Sequence, residues 1–75
     1  MYYVIYIGKR CHYCDEALKE LSKHSLEYVV RADTGAVFKK QEEYNWKTVP
    51  LVEKVEGEVK TFIGGYTELY KHLNN

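Results

Sequence analysis

The sequence predicts a single α/β domain over residues 1–75, with a four-stranded mixed sheet and three helices in the order β-α-β-α-β-β-α. Short runs of β-branched and aromatic residues alternate with segments whose apolar residues have helical spacing. The last two of these runs flank a short turn that contains glycine, which is typical of a β-hairpin. A chain of 75 residues has room for one small hydrophobic core, so we expect no second domain.

The composition is typical of a folded globular chain, with 45% hydrophobic and 29% charged residues. Eleven Lys and Arg balance eleven Asp and Glu, so the formal net charge is zero. Because there is no overall basic field, we expect neither a nucleic-acid partner nor a membrane partner. We also expect a monomer.

The first strand is predicted over Tyr2 to Ile7, since this run has no polar alternation and suits a strand buried on both faces. It is too short to span a bilayer, and no basic segment precedes it, so we expect a cytoplasmic protein. A helix is predicted from about Cys11 to Lys23. Its apolar face comprises Cys14, Ala17, Leu18 and Leu21, and its polar face includes Asp15, Glu16, Lys19, Glu20 and Lys23.

The remaining elements follow from similar patterns and from the position of turn-forming residues. A second β-α unit, a hairpin and a closing helix would make the first two strands parallel and the hairpin antiparallel, an arrangement that is thioredoxin-like. The predicted bounds are strand Leu26–Arg31, helix about Gly35–Asn45 with a thin stripe of Val37, Phe38 and Tyr44, strands Leu51–Val55 and Glu58–Ile63 around Glu56-Gly57, and a helix from Tyr66 to Leu73 after Gly64-Gly65.

The segment Cys11-His12-Tyr13-Cys14 follows the first strand and opens the first helix. At this spacing on a helix the two Cα atoms lie about 5 Å apart, within the range of a disulfide. Free backbone N–H groups and the helix dipole stabilise a thiolate at the first position. We therefore expect Cys11 to be the nucleophile and Cys14 the resolving thiol, with Lys9 and Arg10 adding positive charge.

Alternative interpretations remain for several of these residues. Lys9 and Arg10 could form a solvated basic turn, and His12 could either favour the thiolate or point to solvent. Tyr13 could line a substrate groove or cover the helix end. A closed structural zinc site needs four ligands, and the three histidines do not supply a matching pair, so no metal is expected.

The chain resembles the glutaredoxin family through three separated motifs: C-H-Y-C at 11–14, T-V-P at 48–50 and G-G-Y-T-E at 64–68. The resemblance implies a cis peptide bond between Val49 and Pro50, facing the cysteine pair. It also implies that the backbone of Val49 is unpaired with the sheet and binds the cysteine of an extended thiol peptide. Two departures are His12, where common members have proline, and Gly8, where many carry a basic residue.

By the same resemblance, glutathione would bind along the cleft as a co-substrate, with no tightly bound cofactor. The segment after Gly64 would receive its γ-glutamyl carboxylate, and Glu68 its ammonium group. Lys9, Arg10 or Lys47 would replace the missing basic residue. The full set of predicted glutathione-binding residues is Lys9, Arg10, Tyr13, Thr48, Val49, Pro50, Gly65, Tyr66, Thr67 and Glu68.

The resemblance implies a glutathione-dependent oxidoreductase that reduces protein disulfides and glutathione mixed disulfides through Cys11 and Cys14. One alternative is an electron donor to ribonucleotide reductase that is recharged by thioredoxin reductase. Another is a carrier of a [2Fe–2S] cluster, held between two chains by Cys11 thiolates and two glutathione molecules.

Overall fold

The computed structural model describes residues 1–75, and its element order is the predicted β-α-β-α-β-β-α. The four strands form one mixed sheet in the order β2-β1-β3-β4. Strand β1 is parallel to β2 and antiparallel to β3, and β3 is antiparallel to β4. The bounds are β1 Tyr2–Tyr6, α1 His12–Lys23, β2 Tyr28–Arg31, α2 Thr34–Tyr44, β3 Leu51–Glu56, β4 Val59–Gly64 and α3 Tyr66–Asn74.

The predicted fold class is confirmed: the sheet and three helices have the thioredoxin-like arrangement. Helices α1 and α3 cover one face of the sheet, where Ile5, Leu21 and Leu69 are fully buried. Helix α2 covers the other face, where Leu51 and Val37 belong to a second core cluster. Strand β1 is internal and buried from Tyr3 to Tyr6, as its lack of polar alternation predicts.

Several boundaries differ from the sequence prediction by one or two residues. Strand β2 begins at Tyr28, because the N–H of Leu26 is still bonded to the last turn of α1, at the carbonyl of Leu21. Helix α2 ends at Tyr44, since Asn45 adopts a left-handed conformation with φ of 52° and caps it. The hairpin turn lies one residue later than predicted and places Gly57 at a φ of 60°.

Two side chains differ from the prediction in their burial. Glu20, assigned to the polar face of α1, is buried and accepts a hydrogen bond of 2.9 Å from Asn74, which ties α1 to the end of α3. Phe38, assigned to the apolar stripe of α2, is 56% exposed. Val37 is consequently the only residue of α2 that is buried. None of the helices is long and apolar enough to cross a membrane.

Candidate active site

The cysteine pair lies at the start of α1, after a loop in which Arg10 has a φ of 50°. Cys11 is the N-cap residue, and the two cysteines form a disulfide with their Cα atoms 5.2 Å apart. The backbone N–H of Cys14 donates a hydrogen bond of 3.1 Å to Sγ of Cys11. Cys14 is 1% exposed, whereas Cys11 is only half-buried. Of the two sulfur atoms, that of Cys11 is therefore the more accessible to a substrate.

Val49 faces this disulfide from the loop that joins α2 to β3. Its carbonyl oxygen lies 3.7 Å from Sγ of Cys11, and its peptide bond to Pro50 is cis, as the resemblance implies. Neither its N–H nor its C=O makes a backbone hydrogen bond. A Cβ atom at Gly8 would lie 3.1 Å from the Val49 side chain, so a larger residue there would crowd Val49. This contact gives a physical reason for glycine at position 8.

The third motif forms the turn into α3. Gly64 has a φ of 128°, a conformation that disfavours any residue with a Cβ atom, and Gly65 is the N-cap of the helix. The N–H of Gly65 donates a hydrogen bond of 2.9 Å to Oε1 of Glu68. The first backbone N–H groups of α3, from Tyr66 onward, have no acceptor within the helix. This end of the helix therefore offers hydrogen-bond donors and a positive dipole to an anion.

A cavity of about 300 Å³ joins the Val49 loop to the start of α3. The ring of Tyr13 stacks on that of Tyr66 with centroids 5.8 Å apart, so the two tyrosines connect α1 to α3 at its edge. Most of the predicted glutathione-binding residues meet here. The cavity is lined by Tyr13, Trp46, Thr48, Val49, Pro50, Gly65, Tyr66, Thr67 and Glu68.

Lys9 and Arg10 do not line this cavity, although both are exposed in the loop before Cys11. Lys9 instead borders a separate depression together with Gly8 and Thr34. No three His, Cys, Asp or Glu side chains lie close enough together to hold a metal ion.

Trp46 was missed by the sequence analysis. It lies two residues before the T-V-P motif, and its ring contacts the space beside Gly65, where a Cβ atom would be 3.5 Å away. Its indole N–H is buried without a hydrogen-bond partner. The signal that could have identified it is that the only tryptophan of the chain lies two residues before a binding motif.

Tyr66 has a pKa above its ordinary value, because burial disfavours its charged form and the carboxylates of Glu20 and Glu16 add to the effect. Its phenol is therefore neutral at physiological pH.

The site and the fold together define the class of protein. A dithiol at the start of a helix, facing a cis-proline loop on this sheet, is the arrangement of a thiol–disulfide oxidoreductase with the thioredoxin fold. No model of a known protein family matches the sequence, and no curated protein matches it.

Among solved structures, the chain matches the crystal structure of glutaredoxin 1 from Francisella tularensis complexed with cacodylate. The TM-score is 0.64 at 25% sequence identity, and the match covers 97% of this chain and 96% of that one. The chain is a glutaredoxin-like dithiol protein.

Proposed function

We propose that this protein is a glutathione-dependent thiol–disulfide oxidoreductase that reduces protein disulfides and glutathione mixed disulfides. The observation that supports this best is the composition of the cavity beside Cys11. It combines the unpaired backbone of Val49 with the N-terminus of α3 and the carboxylate of Glu68.

The cysteine and the γ-glutamyl group of glutathione each have complementary groups in this cavity. The cysteine of the tripeptide pairs with the N–H and C=O of Val49, as an added strand would. The γ-glutamyl carboxylate accepts hydrogen bonds from the N–H groups of Tyr66 and Thr67. Oε2 of Glu68 accepts no hydrogen bond within the protein and is available to the ammonium group.

The reaction is a series of thiol–disulfide exchanges. The Cys11 thiolate attacks a sulfur of the substrate disulfide; the new bond forms as the old one breaks, and the leaving thiolate takes a proton from water. In one route the Cys14 thiolate attacks Sγ of Cys11 and releases the second thiol as the Cys11–Cys14 disulfide forms, and two glutathione molecules then reduce that disulfide and leave as oxidised glutathione. When Cys11 holds glutathione, a second glutathione thiolate can instead attack the sulfur of the bound glutathione, which forms oxidised glutathione and releases the Cys11 thiolate. Two electrons pass to the substrate in total, and glutathione supplies them. This chemistry suits a reducing compartment such as the cytoplasm.

Lys9 and Arg10 act through charge rather than through contact with the ligand in this proposal. They flank Cys11 but lie outside the cavity, so their positive potential favours the thiolate. The site has no need of a tightly bound cofactor.

The test is a coupled turnover assay on a small glutathione mixed disulfide, with the cysteine variant Cys11→Ser as the control. We expect turnover with glutathione and glutathione reductase, and none in the variant. Turnover with thioredoxin reductase alone would contradict the proposal and favour the electron donor of ribonucleotide reductase.

A further inference from the structure

The loop of residues 45–50 carries a large part of the cavity, including Trp46, Val49 and Pro50. It begins where α2 ends and stops where β3 begins. Helix α2 has a narrow apolar contact with the sheet: Val37 is its only buried residue, and Ala36 and Tyr44 are partly buried against the same core cluster. At the end of α2 from which this loop starts, apolar packing is therefore limited to the ring of Tyr44.

A buried carboxylate also attaches the end of α2 to the sheet. Glu53 of β3 is 0% exposed, three residues after the loop ends. It accepts hydrogen bonds from the hydroxyl groups of Tyr6 in β1, at 2.9 Å, and of Tyr44, the last residue of α2. The Nζ of Lys40, also in α2, lies 3.0 Å from Oε2, the oxygen that Tyr44 binds, whereas Tyr6 binds Oε1. Two of its three partners thus belong to the helix that precedes the loop.

The contacts between Glu53 and its partners determine which of these side chains are charged. Burial raises the pKa of Glu53, but the hydrogen bonds from Tyr44, Lys40 and Tyr6 outweigh it and leave the pKa below its ordinary value. Burial and the same carboxylate raise the pKa of Tyr6 to about 12. At neutral pH the carboxylate is charged and both tyrosines are donors. A buried charge that loses a partner is costly, so the arrangement resists movement of α2.

Further side-chain contacts connect helix α2 and strand β4 to the loop. The ring of Tyr44 stacks on that of Phe62 at 4.1 Å, and the indole of Trp46 packs edge-on against the same ring at 5.3 Å. Gln41 of α2 donates a hydrogen bond of 3.3 Å to the carbonyl of Thr48. The hydrogen bond between Tyr44 and Glu53 therefore connects the two elements that flank the loop, the end of α2 and strand β3.

We propose that Glu53 and Tyr44 are positioning residues for substrate binding: their hydrogen bond fixes loop 45–50 and so holds Val49 opposite Cys11. The kinetic part of this inference rests on the proposed function, whereas its structural part does not.

Two matched variants test it, Tyr44→Phe and Tyr6→Phe. Each removes one hydroxyl donor from the same carboxylate and keeps the aromatic ring, but only Tyr44 adjoins the loop. Trp46 is the single tryptophan, so its emission reports on the loop directly. In Tyr44→Phe we expect a red-shifted emission, stronger quenching by acrylamide, and a KM for glutathione mixed disulfides raised about three- to tenfold, equivalent to part of one charge-assisted hydrogen bond.

In Tyr44→Phe, kcat and the alkylation rate of reduced Cys11 should stay unchanged. Tyr6→Phe should leave both the Trp46 emission and the KM as in the wild type. Equal effects in the two variants, or no effect in Tyr44→Phe, would overturn the inference. If Tyr44→Phe does not fold, Lys40→Met takes its place, with the same expected shifts. A wild type without glutathione-coupled turnover would refute the proposed function, while the emission of Trp46 would still decide the positioning role.

Discussion

The carbonyl oxygen of Val49 lies 3.7 Å from Sγ of Cys11, although the two residues are 38 positions apart in the chain. The register of the sheet produces this proximity. Strands β1 and β3 are antiparallel, and Tyr6 at the end of β1 pairs with Leu51 at the start of β3. The loop that leaves β1 and the loop that enters β3 therefore meet at the same edge. A slip of one residue in this register would turn every side chain of β3 to the opposite face.

The two cysteines should differ in what each variant abolishes. Cys11→Ser should remove all turnover, because the nucleophile is needed for every substrate. Cys14→Ser should keep substantial activity on glutathione mixed disulfides, since a second glutathione can release the first, but lose most reduction of protein disulfides. Parallel assays on the two substrates check this. The opposite pattern, with Cys14 indispensable and Cys11 not, would show that the nucleophile is misassigned.

Reduced Cys11 should be alkylated rapidly at neutral pH. Its Sγ atom lies at the N-terminus of α1 and receives the hydrogen bond from the N–H of Cys14, both of which favour a thiolate. The rate of reaction with iodoacetamide, measured against pH in Cys14→Ser, isolates this sulfur and keeps the backbone donor. A rate that rises only above about pH 8, as for a free cysteine, would exclude this activation.

Glu68 should recognise glutathione through its charge. Glu68→Lys should raise KM for glutathione mixed disulfides by placing a cation beside the ammonium group. Glu68→Gln is the matched variant, because its amide oxygen can still accept the hydrogen bond from Gly65. A KM that rises in both variants, and more in Lys, indicates recognition of charge. If only Lys has an effect, the carboxylate serves the helix cap and not the ligand.

Substitution of alanine for two of the glycines should change the free energy of unfolding in opposite directions. Gly64→Ala should destabilise the protein by about 1–3 kcal/mol, because the backbone has a φ of 128° and the new Cβ would lie 2.7 Å from the Glu68 side chain. Gly35→Ala, in the first turn of α2 with open space around it, should stabilise by about 0.4–1 kcal/mol. Urea unfolding measures both free energies. A neutral Gly64→Ala would contradict the described geometry of the turn.

The buried carboxylate should make stability depend on pH in the acid range. The pKa of Glu53 is lowered in the folded state, so its contribution is present above the unfolded pKa of about 4.3 and is lost as pH falls through the folded pKa. Glu53→Gln should reduce the slope of this acid limb and cost about 1–3 kcal/mol at pH 7, because Lys40 keeps Glu43 at 3.3 Å but loses its buried partner.

The control for this measurement is Glu56→Gln on the same strand. Glu56 is exposed and pairs with Lys54 at 3.5 Å, so its loss should change the free energy of unfolding by no more than about 1 kcal/mol. Urea unfolding of both variants between pH 3 and 7 makes the comparison. Glu20 and Asp33 also have lowered pKa values, so part of the acid limb should remain in Glu53→Gln. Equal losses at pH 7, or an acid limb as steep in Glu53→Gln as in the wild type, would contradict the assigned role of Glu53.

The order of the elements, the fold class and the cysteine pair could all be predicted from the sequence. Each is encoded locally: the apolar run of β1 determines an internal strand, and the spacing of Cys11 and Cys14 on a helix brings their Cα atoms within disulfide range. The three motifs also predicted the parts of the cavity, because each sits where a strand or a helix begins.

The position of the basic residues relative to the cavity, and the burial of Glu53, were decided by the tertiary structure alone. Lys9 and Arg10 adjoin Cys11 in sequence but do not line the cavity, and Lys9 borders a separate depression instead. Nothing local marks Glu53 as buried, because a charged residue on a hairpin strand is ordinarily exposed. Its three partners come from β1 and α2, and only the packing of that helix across the sheet brings them together to stabilise a charge inside the core.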